Sequence, residues 1–162
     1  MNDALSRYFE GEKSAGLFLA AIGVVVLVAA AVLFPTRNEL RPLAITLLVF
    51  GLLDVVVGLG LYLKTPAQVA RLSVQLSSDG AAFYAAERPR MEIVQRNFVY
   101  LESLWLVLIV ISAAVAVWQK QNATVSGIAL AILISTAVFL AFDMIAERRG
   151  ERYVVALAAD RG

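Results

Sequence analysis

Asp54, Glu102 and Asp143 are the residues of this chain best placed to do chemistry, because each interrupts a stretch that is otherwise apolar. A carboxyl group inside a hydrocarbon layer costs about 3 kcal/mol or more unless it is solvated or paired, so its retention needs a reason. No Lys or Arg accompanies these carboxyls inside the stretches, and the chain has no His and no Cys. That composition removes the imidazole base, thiolate nucleophiles, Cys/His zinc sites and haem with His or Cys ligands. Carboxylate chemistry is what remains: a neutral group donating a hydrogen bond, a proton site, or an oxygen-only site for a hard cation. No pattern specifies a cofactor or a metal, and none is expected.

The depths of the three differ. Asp54 lies about nine residues, roughly 13 Å, from the nearer end of its stretch. Gly51 and Gly58 share its helical face, and small residues let a neighbouring backbone come close, so that face is expected to point into a helix bundle. Ser112, Ser135 and Thr136 are the candidate partners on other helices. Two roles follow for Asp54: a neutral, hydrogen-bonded lock on helix packing, or a proton- or cation-binding site in a transporter or channel. A contact within an oligomer is a third. Glu102 and Asp143 each sit about one turn inside the end of a stretch and read as solvated interface residues beside Arg96, Arg148 or Arg149.

The stretches that carry these groups cover residues 16–34, 43–63, 98–118 and 127–146. Each has about the 20 residues that a helix needs to cross a bilayer core. The chain of 162 residues is 60% hydrophobic and 17% charged. Soluble chains are about half apolar and a quarter charged, so both departures point into lipid. The expected fold is all-α, a single polytopic membrane domain over residues 1–162 built as an antiparallel four-helix bundle. The first stretch is longer than the apolar core of a signal peptide and reads as a retained span.

Basic residues divide unevenly about these spans. Arg7 and Lys13, then Lys64, Arg71, Arg88, Arg90 and Arg96, then Arg148, Arg149, Arg152 and Arg161 fall on one side, with only Arg37, Arg41 and Lys120 on the other. Positive-inside bias puts both termini and the loop 64–97 in the cytoplasm of a bacterium, with the protein in the inner membrane. The loops on the other side are short and contain Pro35 and Pro42, which end one helix and start the next.

Within the loop 64–97, Pro66 is expected to open a short helix with Val69, Leu72 and Leu76 on one face. Residues 77–80 read as a break with Asp79 as an N-cap. Pro89 is expected to end a second short helix and start another that runs into the third span, with Met91, Val94, Phe98, Leu101 and Trp105 on one stripe. The resulting picture is short amphipathic helices lying at the inner interface, followed after span four by a cytoplasmic tail, 147–162. Arg88, Arg90 and Arg96, with Met91 beside them, form either a positive collar or a contact for a partner or for anionic lipid head groups.

Residues 58–68, the run Glu87-Arg88-Pro89-Arg90-Met91-Glu92 and the pair Asn97-Phe98 resemble a set of small four-helix inner-membrane proteins of bacteria. The resemblance implies a similar topology and no activity. With a net charge of +1 and no basic stripe, nucleic acid is not an expected partner. No phosphate loop, dinucleotide fingerprint or nucleophile elbow is present, so an enzyme is not expected. The bilayer is the first partner, and a second copy or another membrane protein is the next. The function expected is a structural or accessory membrane protein acting through helix packing and its cytoplasmic loop. The rival is a proton- or cation-linked transporter or channel subunit that uses Asp54 in an oligomer.

Overall fold

The computed structural model describes residues 1–160 and consists of four long helices. These are α1 (Asn2–Thr36), α2 (Arg41–Ser78), α3 (Gly80–Trp118) and α4 (Ala123–Ala159), with one 3-10 turn at Asn38–Leu40 between the first two. All four are long and apolar enough to cross a membrane. Successive helices run antiparallel, so the beginning of α1, the α2–α3 turn and the end of α4 meet at one end of the bundle. α1 packs chiefly along α2 and α3 along α4, while α4 also touches α2 and α1.

The helices contain 35, 38, 39 and 37 residues. At 1.5 Å per residue they are about 52–58 Å long, against a hydrocarbon core of about 30 Å. The less apolar excess lies at the end where the termini meet, and there the helices continue as a second storey of the same bundle. The two storeys hold together differently. In the apolar storey many of the buried positions are small, among them Gly16, Ala20 and Gly23 on α1, Gly51 and Gly58 on α2, Ala129 and Ala131 on α4, with Leu19, Leu47 and Phe139 between them. Large aliphatics such as Val25, Val56 and Val110 face outward there, as lipid requires. In the other storey Leu5, Phe9, Leu72, Phe83, Met91, Tyr153 and Leu157 are buried together, as in a water-soluble bundle.

This storey replaces the short interfacial helices expected over 64–97. Pro66 lies inside α2 and Pro89 inside α3, and neither ends its helix. An internal proline costs about 3 kcal/mol through one lost hydrogen bond and a clash. Around Pro89 the burial of Phe83, Glu87 and Met91 on both sides of it keeps the helix continuous. The apolar face of Leu72 and Leu76 finds α1, α3 and α4 to bury against, so it does not lie on lipid. The break at 77–80 does occur: Ala82 donates its backbone N–H to the Asp79 carboxylate at 2.9 Å, an N-cap that starts α3. The tail also differs from a loose segment, because α4 runs to Ala159 with Tyr153 and Leu157 buried. At the opposite end Pro42 opens α2 as expected, and Gly127 of α4 lies against Leu43.

Candidate functional site

Asp54 is 3% exposed and faces α1. Its neighbourhood is a close approach of the α1 and α2 backbones. A Cβ placed on Gly23 would lie 2.7 Å from both the Asp54 Cβ and the Gly51 carbonyl oxygen. One on Gly16 would lie 2.7 Å from the carbonyl oxygen of Gly58. Glycine at these positions is what lets the two backbones meet, and the Gly51-Asp54-Gly58 face points inward as its spacing implies. The expected partners do not reach it. Ser112 turns its hydroxyl to the Leu108 carbonyl at 2.5 Å, and Thr136 turns to the Ile132 carbonyl at 2.7 Å. The Asp54 Oδ1 is left buried without a hydrogen bond among the described residues.

Asp143 is not merely solvated. Trp105 donates its indole N–H to the Asp143 Oδ2 at 2.7 Å, and its ring stacks on Phe139 with centroids 5.1 Å apart. This joins α3 to α4 near the junction of the two storeys. Arg149, one of the cations expected beside Asp143, instead donates to the backbone carbonyls of Gly11 and Ile145. Glu102 of α3 feels the charges of Glu147, Asp143 and Glu151 of α4, and its Oε1 is buried and unpaired among the described residues. Asp54 stands apart from both. No group of side chains among the described residues could hold a metal ion.

The polar centre with the most complete geometry lies in the second storey. Glu87 is 2% exposed, and Arg90, one turn further along α3, donates to it through Nε at 2.7 Å and Nη2 at 2.6 Å. Tyr153 of α4 adds its hydroxyl to the same carboxylate at 3.1 Å. Tyr8 of α1 stacks on Tyr153 with ring centroids 4.8 Å apart and gives its own hydroxyl to Glu12 at 2.9 Å. The Arg90 guanidinium also lies 5.9 Å from the Phe9 ring centroid. The buried carboxylate thus ties α3 to α4, and α1 joins the cluster through the Tyr8–Tyr153 stack and the Phe9 ring beside Arg90. Burial and the neighbouring Glu12 push the Tyr8 hydroxyl well above its ordinary value, and burial with Glu87 does the same to Tyr153. Burial alone would lower Arg90, but the Glu87 hydrogen bonds and charge leave it raised.

The structure therefore spends much of the 88–96 segment internally. Arg90 is held by Glu87, Met91 is fully buried, and Arg88 donates to the Leu157 carbonyl at 2.8 Å. Arg96 alone of that set stays exposed on the surface. The sequence reading takes Glu87 only as the start of a charged run and not as a buried acceptor, although a signal exists. It falls in the apolar series Phe83, Met91, Val94 and Phe98 at helical spacing, and a carboxylate inside such a stripe calls for a buried cation. Chemically, the centre has both Glu87 oxygens occupied and no free nucleophile, so it locks helices together.

No family model matches the chain, and neither a curated protein nor a solved structure matches it.

Proposed function

We propose that the chain is a structural or accessory protein of a bacterial inner membrane, acting through helix packing and through the storey that stands clear of the bilayer. The observation that carries this reading is the placement of Asp54. The deepest carboxyl fills the glycine-lined crossing of α1 and α2, whereas the clefts between α1 and α4 are lined by other residues. A helix-packing role needs that burial, and a conducting role needs water there. Positive-inside bias supports a cytoplasmic location for the extramembrane storey. In that frame the storey offers other proteins a folded, charged surface that includes Arg71, Arg96 and Arg148. Non-enzymatic action accords with the absence of His and Cys and with the full occupancy of Glu87.

A second reading rests on the unpaired Oδ1 of Asp54. A symmetric oligomer that opened this crossing would make Asp54 a proton or cation site in a small transporter or channel. Carbodiimide labelling in lipid across pH, read by mass spectrometry at each carboxyl, separates the two. The expected outcome is modification of Glu102 without modification of Asp54. Titrating modification of Asp54, with proton flux into vesicles that disappears in Asp54→Asn, would overturn the packing role in favour of transport.

A further inference from the structure

On α1, Arg7, Gly11, Ser14, Phe18 and Ile22 recur every three or four residues, and on α4 so do Val138, Ala141, Ile145, Arg149 and Arg152. Each series is one helical face, and the fold sets the two faces side by side. Between them runs a groove of about 500 Å³ whose walls include Phe18, Ile22, Val138 and Ile145, and which ends at Ser14 and Arg149. On the other side of Arg149 lies a second pocket of about 530 Å³ lined by Arg7, Arg149 and Arg152 with Tyr8 and Tyr153. The change from apolar to basic falls within a few residues of the span ends, at the depth of lipid head groups.

Arg149 is built into this junction with donors to spare. It lies across Gly11, where an added Cβ would come 2.9 Å from its Cδ and displace it from this position. Its Nη1 donates to the Gly11 carbonyl and its Nε to the Ile145 carbonyl at 3.3 Å. Its Nη2 is buried with no hydrogen-bond acceptor among the described residues. Burial holds the Arg149 guanidinium below its ordinary value, with the charge of Glu12 acting the other way. Glu12 is the acidic group that bears on Arg149, and its carboxylate already accepts from Tyr8. Arg7 uses its Nε on the Asp3 carbonyl at 3.1 Å, and Arg152 is exposed at the rim. A buried, unpaired guanidinium nitrogen costs free energy unless an anion meets it. A phosphate in the basic pocket would give it an acceptor once the guanidinium turned outward, and an acyl chain would cover the apolar groove on the other side.

We propose that α1 and α4 form a binding site for an anionic phospholipid of the adjoining leaflet. One acyl chain lies along Phe18, Ile22, Val138 and Ile145, and the phosphate is gripped by Arg149 between Arg7 and Arg152.

The test uses the purified full chain in neutral detergent, with its thermal midpoint followed as phosphatidylglycerol, phosphatidylcholine or inorganic phosphate is added. Phosphatidylglycerol is expected to raise the midpoint saturably, and the other two to leave it unchanged. Arg149→Gln and Arg152→Gln should each weaken that response about tenfold, while Arg148→Gln, on a different face, retains it. Ala141→Phe, which fills the groove without changing charge, should also abolish it. Arg152→Gln and Ala141→Phe decide the matter if Arg149→Gln fails to fold. Equal responses to the two lipids would overturn the proposal in favour of unspecific lipid coating. A response to inorganic phosphate alone would reduce the site to a basic pocket. Equal losses from Arg148→Gln and Arg152→Gln would replace it with diffuse charge.

Discussion

Arg90 grips Glu87 one helical turn away through two nitrogens, at 2.6 and 2.7 Å, in a core where Glu87 is 2% exposed. Glu87 is the buried member of this pair, and its charge is costly to desolvate and more costly to leave unpaired. Removing Arg90 leaves it charged, buried and alone, which typically destabilises by about 3–5 kcal/mol. Arg90→Leu is therefore expected to lower the thermal midpoint strongly. The double variant Glu87→Leu with Arg90→Leu should recover most of the loss, since apolar side chains suit that core. If Arg90→Leu melts with the parent protein, water reaches Glu87 and the storey is looser than its packing implies.

The tyrosines around that pair give the storey a pH dependence. Tyr8 and Tyr153 have hydroxyls held well above their ordinary value by burial and by neighbouring carboxylates. In the unfolded chain they ionise near pH 10. Each folded-state value lies above its unfolded one, so their contribution to stability is fully present below about pH 10 and is lost as pH rises beyond it. Stability is expected to fall on the alkaline side, with tyrosinate absorbance from these two rings appearing together with loss of helix. In Tyr153→Phe the alkaline decline should be shallower. Tyrosinate formation at Tyr153 without any unfolding would contradict this.

The α1–α2 crossing permits a comparison between glycines of one helix. A Cβ on Gly58 would meet the backbone of Gly16 and Ala20, whereas one on Gly60 would meet nothing within 4 Å. Gly58→Ala must push backbone against backbone, and overpacking of this kind costs about 1–3 kcal/mol. Gly60→Ala adds no clash and restricts the unfolded chain, so it is expected to be neutral or stabilising by up to about 1 kcal/mol. Thermal unfolding of the two variants in detergent checks the contrast. Equal midpoints would mean that the crossing is not close-packed in solution.

Much of this was legible from residue types, and the remainder fails for identifiable reasons. Long apolar runs announce spans because lipid offers no alternative partner for the backbone, and the glycine spacing around Asp54 announces a close contact. Prolines were the misleading signal. Pro66 and Pro89 read locally as boundaries, yet the long-range burial of Leu72, Glu87 and Met91 outweighs a local cost of about 3 kcal/mol. For the same reason an amphipathic face read as lying on lipid proved to face three other helices. Arg90 and Met91 looked available because a sequence shows charge and size but not which face the core claims. The partner of Asp143 was hidden because Trp105 sits on another helix, 38 residues away.

Asp54 offers the last contrast, since its isosteres separate packing from charge. Its Cβ sits so near Gly23 that an atom added there would be 2.7 Å away, and its Oδ1 has no hydrogen-bond partner among the described residues. A side chain of the same shape should fit as well as the native one, whether or not it can ionise. Asp54→Asn is therefore expected to shift stability by less than about 1 kcal/mol, within the range of ordinary tolerated substitutions. Asp54→Leu keeps the site apolar but thickens it against α1, and should cost about 1–3 kcal/mol through overpacking. The order of the two thermal midpoints is the measurement. An Asn variant that melts far below the Leu variant would mean that charge, not shape, holds this position, and that a cation from outside this single bundle meets the carboxylate.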